Sequence, residues 1–397
     1  MPTLAILGGS TPFTVSLLDL LPEAGHWDVA LHGRDAEALR LIAGFGRSRL
    51  QPQGGTVRWT TDLDDALAGA DVVLHQIRYG DLAGRAGDEL LAESLGVAGD
   101  ETLGPSGLRS AIRMAPALAA VARAMSRQCP DAWIVNLTNP LSCSTAILAK
   151  SGLGNVIGLC ELPQFTLQQA CAALNLSPDA VSWDYAGLNH RGFIHVLEHS
   201  GRNVLDDLPA ALGDRKIGGI GAEDIAELGA LPLKYFRLLA GRNRTAERRA
   251  QALLDLKAEA LAELRLRPTQ VPAALRKRQM PWYPDAVIPV LRTLASGKAG
   301  EHVLNLPAGD GIVREFRAIL GREGAEPLPS RPAQGAVRRW LDRFEAHEQA
   351  SLAAVLDPVR PRIRDALALD PMLPAHLIDR AADLIAPSKA AGVQADA

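Results

Sequence analysis

Several things are scarce in this 397-residue chain, and each scarcity closes a class of explanation. Its four cysteines, Cys129, Cys143, Cys160 and Cys171, are too few for a disulfide framework in so long a chain. Their spacing matches no paired zinc motif either, and a reducing cytoplasm is the expected compartment. Excess positive charge is also missing: 42 Lys and Arg face 45 Asp and Glu, leaving a net charge of −3. That balance gives no electrostatic case for binding nucleic acid or an anionic membrane. No apolar run approaches the roughly 20 residues of a membrane span. The opening "MPTLAILGGS" lacks a basic segment and passes straight into a strand, so no signal peptide is expected. There is no internal repeat.

What is present reads as a soluble enzyme, with 47% hydrophobic and 22% charged residues. Length alone suggests two domains. Over the first half, "LAIL" (4–7), "VALH" (29–32), "VVLHQ" (72–76), "WIVNL" (133–137) and "NVIGLC" (155–160) predict strands. Their near-continuous apolar character suits a parallel sheet covered on both faces. Helical spacing in "TVSLLDLLPEAG", "DAEALRLIAGFG" and "LRSAIRMAPALAAVARAMSRQ" alternates with them, the pattern of a doubly wound α/β domain. From about residue 180 the pattern changes. "AVSWDYAGLNH" and "RGFIHVLE" predict strands, and helices rich in Ala, Leu and Arg, among them "TAERRAQALLDLKAEALAELRLR", are expected to dominate the rest. The expected fold is therefore a Rossmann-like doubly wound parallel sheet (1–180), followed by an α+β substrate and metal-binding domain (181–397) of lactate/malate dehydrogenase-like architecture. Residues 321–336 predict a Gly/Pro-rich surface loop and 388–397 a frayed tail.

"AILGGSTPFT" places Gly8, Gly9, Ser10 and Thr11 between the first strand and a helix, where a diphosphate can approach backbone. The strict G-x-G-x-x-G spacing is absent, so the βαβ context carries the dinucleotide reading. After the second strand, Arg34 suits a 2′-phosphate and Asp35 a ribose hydroxyl, which leaves NAD or NADP open. Asn136, at the end of the "WIVNL" strand, completes the candidate cofactor contacts. Asn139 and Cys160 follow strands at their carboxyl ends, where ligands of open α/β sheets bind. Singly, each has an ordinary explanation, Asn139 as a turn residue and Cys160 as a core thiol. Together with "GLNH" they suggest more: a Cys160 thiolate and a neutral His190 imidazole can hold a divalent ion with positions open to substrate. Glu161 is the natural proton donor beside them.

"GGST", "IRYGDLAGRAGDE", "GDETLGPSG", "NLTNP", "GLCELP" and "GLNHRGF" occur in the order seen in glycoside hydrolase family 4, and the chain resembles that family over roughly its first 240 residues. These NAD- and metal-dependent 6-phospho-glycosidases depart from two-carboxylate glycoside hydrolysis. The resemblance implies NAD and Mn²⁺, or another divalent metal, as cofactors. It implies Cys160 and His190 as metal ligands, Tyr235 as the base and Glu161 as an acid. Arg78, Glu101, Asn139 and Arg278 would line the substrate pocket. Where the family has glycines after that arginine, this chain has Gln279, Met280, Pro281 and Trp282, and "PAGDG" (307–311) stands for a later "NNG". Both segments are expected near the pocket for the sugar's C6 group, so that group stays open between phosphate, sulfonate (a sulfoquinovoside) and none.

The implied reaction is redox-neutral: oxidation at the sugar C3, removal of the C2 proton, loss of the C1 substituent, addition of water and return of the hydride. A homodimer or homotetramer acting on a small glycoside is expected. Two rivals stand beside it. A sugar or hydroxy-acid dehydrogenase would consume NAD(P), and explains the first domain but not Cys160, His190 and Tyr235 together. A non-catalytic nucleotide-binding regulator would lack turnover.

Overall fold

The computed structural model describes residues 1–242 and 248–387. The expected tail and the first residues of "TAERRAQ" lie outside them. Six parallel strands, β1 (Thr3–Leu7), β2 (Asp28–His32), β3 (Val57–Thr60), β4 (Val72–His75), β5 (Trp133–Asn136) and β6 (Val156–Gly158), build the first half of the sheet. They run in the order 3-2-1-4-5-6, the arrangement of dinucleotide-binding sheets, with the chain reversing direction across the sheet between β1 and β4. Strands such as "TLAIL" and "VVLH" are apolar because both their faces are covered. Helix Ala36–Leu50 closes one face, through Leu39, Ile42 and Phe45. Helix Gly104–Gln128 closes the other, through Met114, Leu118 and Met125.

The sheet does not stop at residue 180. β7 (Val181–Leu188) and β8 (Arg191–His199) form a hairpin, extended by β9 (Arg202–Asn203) and β10 (Leu231–Pro232). A second hairpin, β11 (Gly300–Pro307) with β12 (Val313–Leu320), is inserted between β6 and β7, with β13 (Ala325–Pro327) on its outer side. Asn305 of β11 pairs with Gly158, and Glu315 of β12 pairs with Gly187, so one thirteen-stranded sheet crosses the whole molecule. Helices dominate the rest of the chain as expected, and the β11–β12 hairpin set among them is an addition to the expected strands. The hairpin escaped because its burial along "VREFRAIL" is mixed and its loop "PAGDG" is a turn signal without apolar alternation on both sides. The 321–336 stretch, expected as loop throughout, contributes β13.

Helices of the second half also complete the core of the first. Leu256, Ala260 and Leu264 of helix Ala250–Leu266 pack with Leu39 and Ile42, while Ile288 and Leu291 of helix Ile288–Ser296 join Leu21 and Trp27. The antiparallel part has its own core, in which Phe193 lies parallel to Phe344 of helix Gly335–Leu356, ring centroids 6.2 Å apart.

Candidate active site

At the carboxyl edge of β1 the chain turns through Gly8 with φ +86°, where a Cβ would lie 2.7 Å from the carbonyl oxygen of Gln76. The Gly8 and Gly9 amides both donate to the His32 carbonyl, at 3.1 and 2.7 Å, so these glycines weld β1 to β2 rather than present free donors. Ser10 packs against Gly33, where any Cβ would meet its Oγ at 2.5 Å, and Thr11 follows at the entry to helix Thr14–Leu20. Beyond β2, Arg34 pairs with exposed Asp81 at 2.6 Å, while Asp35 caps helix Ala36–Leu50 by accepting from the Ala38 amide at 3.0 Å. Asn136 needs correction as a cofactor contact. Its side chain is fully buried, donating to Ser144 and Thr145 (2.7 and 2.9 Å), and its Oδ1 lies 2.8 Å from His75 Nδ1. All its polar capacity faces the protein, so it holds β4, β5 and helix Leu141–Lys150 together.

Two clusters occupy the edge beyond. In the first, Glu101 accepts from Arg78 and Arg85, each at 2.7 Å, and from Asn139 at 3.3 Å. Burial alone would raise its pKa, but Arg78 and Arg85 hold it down at about 2. Arg85 also bonds Glu89 one turn along its helix, at 2.8 Å. Arg278 arrives from the second half, its guanidinium 4.6 Å from the Phe13 ring centroid and 5.1 Å from that of Trp282. Burial lowers its pKa, Glu101 raises it and Arg78 lowers it again, which places it in this cluster's field. No carboxylate among the described residues pairs with it.

In the second cluster, His190 sits in the tight β7–β8 turn with φ +65° and is 8% exposed. Tyr235 stacks on it with ring centroids 4.4 Å apart and an interplanar angle of 22°. Cys160 follows β6, its Sγ 3.9 Å from Glu161 Oε2. Burial, first, and the nearby Lys234 cation keep His190 neutral, with a pKa pushed down to about 3. Burial and then Glu161 and Glu315 push the Cys160 thiol up. Tyr235 is pushed up by burial, then by Asp100, Cys160, Glu101 and Glu161. These residues therefore share one electrostatic neighbourhood.

The sequence reading missed several members of it. Arg85 lies within the quoted "IRYGDLAGRAGDE", seven residues after Arg78, and only the fold turns both onto Glu101. Glu315 is 1% exposed beside Cys160 and Glu161; Tyr185 donates to one of its oxygens and Asn305 to the other, at 2.8 Å. Burial raises Glu315 to about 7. No local motif announces it, because it belongs to the unexpected hairpin. That hairpin's turn, in contrast, was expected near the pocket and is not there. The register carries "PAGDG" past Gly158 to the opposite edge of the sheet, where Gly311 lies against Lys150.

Sequence models of the family 4 glycosyl hydrolases match residues 4–176, and models of that family's C-terminal domain match 185–373. The chain belongs to the family 4 glycosyl hydrolases. A probable 6-phospho-beta-glucosidase of Bacillus subtilis is 27% identical to it, over 94% of this chain and 92% of that one. In fold it is similar to the 6-phospho-beta glucosidase of Thermotoga maritima solved with NAD and glucose-6-phosphate, with TM-score 0.84, 21% identity, and 96% and 97% of the two chains covered. It is likewise similar to a 6-phospho-alpha-glucosidase from gut microorganisms solved with NAD and Mn²⁺, with TM-score 0.83, 19% identity and 97% of each chain covered.

For a family 4 enzyme the residues present fit both groups. Gly8 closes its turn directly against the Gln76 backbone at the β1–β4 switch point, the edge where a dinucleotide's diphosphate lies in such sheets. His190 Nδ1 is buried with no hydrogen-bond partner among the described residues, and the Cys160 thiol lies among the Glu161 and Glu315 carboxylates. A neutral imidazole, a thiol and surplus negative charge are the donor set of a divalent cation. No group of three or more His, Cys, Asp or Glu poised for a metal occurs among the described residues, so Cys160 and His190 would leave positions open.

Proposed function

We propose that this family 4 enzyme cleaves a glucoside bearing an anionic C6 group, of the 6-phospho-glucoside type, with NAD and a divalent cation as cofactors. The observation that carries the reading is Tyr235 stacked on His190 beside Cys160 and Glu161, at the ligand-binding edge of a dinucleotide sheet. The 6-phospho-glucosidases among its relatives support the substrate class. When bound, the dinucleotide would supply reversible hydride transfer at the sugar C3 and the cation Lewis-acid polarisation of neighbouring oxygens.

The chain's own residues supply the rest. Arg78, Arg85, Glu101 and Asn139 form a charge-fixed wall for sugar hydroxyls, and Arg278 offers an unpaired guanidinium to the C6 anion. Tyr235 takes the C2 proton once C3 is oxidised; the C–H electron pair becomes a C1–C2 double bond as the C1–O bond breaks. Glu161, whose pKa burial raises, gives its proton to the departing oxygen. Water then adds at C1, giving a proton back to the Glu161 carboxylate, and Tyr235 returns a proton to C2. Tyr235 can act as a base only when the surrounding negative field is offset, which ties its role to the Cys160/His190 pair.

The deciding experiment is turnover in deuterated water on 6-phospho-, sulfo- and unmodified glucosides with NAD⁺ and Mn²⁺. Deuterium at C2 of the product without accumulating NADH is expected. Hydrolysis with no label at C2 would sink the elimination route, and stoichiometric NADH would return the dehydrogenase reading. Four buried, unpaired cysteines support a reducing compartment, the cytoplasm. Among the described residues no helix is long and apolar enough to cross a membrane.

A further inference from the structure

The two residues read as metal ligands do not come from neighbouring strands. Cys160 follows β6 and His190 closes the β7–β8 turn, and the β11–β12 hairpin lies between β6 and β7. Among the described residues each join is a single residue pair, Asn305 with Gly158 on one side and Glu315 with Gly187 on the other. Asn305 and Glu315 also face each other within their hairpin, and Gly187 faces Gly192 within the β7–β8 hairpin. Gly158, Asn305, Glu315, Gly187 and Gly192 therefore form one row running straight across five strands. The row begins two residues before Cys160 and ends two residues after His190.

Backbone pairing this sparse specifies register weakly, and a slip of one residue would turn the side chains to the other face. Side chains along the row supply what the ladder lacks. The Glu315 carboxylate accepts from Asn305 Nδ2 at 2.8 Å through one oxygen and from the Tyr185 hydroxyl through the other, which ties β7, β11 and β12 at one point. The glycines make room for these groups. A Cβ at Gly192 would fall on the Tyr185 hydroxyl, one at Gly187 on the Gly192 Cα, and one at Gly158 would lie 3.0 Å from the Asn305 Cβ. Tyr185, Asn305 and Glu315 are all buried. A buried carboxyl carries a desolvation cost that an apolar side chain of its size would not, so stability alone does not account for Glu315. Glu315 and Tyr185 also lie in the electrostatic field of Cys160. At the other end of the row His190 holds φ +65°, a conformation a non-glycine residue keeps where its surroundings fix it.

We propose that Glu315, with Tyr185 and Asn305, is a set of positioning residues that fixes the separation of Cys160 and His190, and with it the affinity of the site for a divalent cation. The three act through the two ligands rather than on the substrate. The inference rests on the reading of Cys160 and His190 as metal ligands, and its test tells the two apart.

Mn²⁺ and NAD⁺ binding to the intact protein would be measured by calorimetric titration. Co²⁺ would be titrated in parallel, following its thiolate-to-metal charge-transfer absorption. Tyr185→Phe removes one bond with no change of charge and should weaken Mn²⁺ about tenfold; Glu315→Leu removes both and should weaken it by about 10–100-fold, the usual worth of a group that orients a metal ligand. NAD⁺ affinity should be unchanged in both, and the Co²⁺ band should weaken or shift. Glu315→Gln can accept from Asn305 and donate to the Tyr185 oxygen, so it should hold Mn²⁺ more tightly than Glu315→Leu. Three outcomes would overturn the positioning role while the metal reading stood: wild-type Mn²⁺ affinity and Co²⁺ absorption in Tyr185→Phe, Mn²⁺ and NAD⁺ affinities that fall together, or equal losses in Glu315→Gln and Glu315→Leu. A wild type that binds no Mn²⁺ and gives no thiolate band with Co²⁺ would end the metal reading itself, and this inference with it.

Discussion

The two clusters at the carboxyl edge of the sheet differ in how their charges are answered. Around Glu101, two arginines and an asparagine meet one carboxylate, and its pKa falls to about 2. Around Cys160, a thiol and the carboxyls of Glu161 and Glu315 are buried with a neutral imidazole, and every acidic group there is pushed up. The Glu101 carboxylate is fully answered as folded, so that group needs no rearrangement to meet a ligand. The second cluster is electron-rich and incomplete, which is where a cation and chemistry belong. On the proposed reading, pre-formed recognition and the demand for a cofactor fall on neighbouring loops.

The sharpest way to break that contrast is to remove the imidazole. His190→Ala should abolish turnover and Mn²⁺ binding while leaving NAD affinity nearly intact, and a chelator should silence the wild type until Mn²⁺ is restored. Calorimetric titration of each cofactor measures both. Full activity of the variant in chelator would end the metal role for this cluster. Tyr235→Phe should come next, with kcat lower by about 10²–10⁴-fold at unchanged Mn²⁺ affinity, the usual worth of a positioned base. Loss of metal binding in that variant would instead make Tyr235 a support for His190.

How much of this was legible in the sequence follows the same division in the fold. The parallel strands are buried on both faces, so "LAIL" and "VVLH" are apolar throughout and stand out unaided. Gly8, Cys160 and His190 then follow from strand ends and turns. The β11–β12 hairpin is half-exposed, and its Glu315 and Arg317 interrupt any simple alternation. Glu315 could not be anticipated, because only pairing across Gly158, Asn305 and Gly187 carries it to the site. The displaced "PAGDG" turn is the same lesson reversed: a one-dimensional alignment cannot tell which edge of a sheet an antiparallel turn reaches. Asn136 was misassigned for a related reason, since alternate residues of a strand face opposite ways and its side chain points into the helix layer.

Arg278 sharpens the comparison on the recognition side. It lacks a carboxylate partner among the described residues and lies between Phe13 and Trp282, so a C6 anion would complete it. Arg278→Ala should raise KM for an anionic C6 substrate by roughly thirtyfold, about 2 kcal/mol, with little change for the unmodified glucoside. Equal changes for both would place the guanidinium outside the pocket. Steady-state kinetics on the matched pair decides it.

The smallest effect is the most direct reading of the two carboxylates. Glu101 has a folded pKa below its unfolded value, so it contributes stability above about pH 4.5 that is lost as pH falls toward 2. Glu315 has a folded pKa raised to about 7, so the folded state holds a proton that the unfolded chain has released between about pH 4.5 and 7. Stability from that group therefore falls as pH rises through this window. In metal-free protein, Glu101→Gln should destabilise at pH 7 and do so less at pH 4. Glu315→Gln should gain on the wild type at pH 8 and lose that advantage by pH 5, each by about 1–3 kcal/mol. Denaturant unfolding at the three or four pH values gives the sign of both. If the two variants moved in the same direction with pH, the clusters would not differ in how their charge is answered, and the second would have no standing demand for a cation.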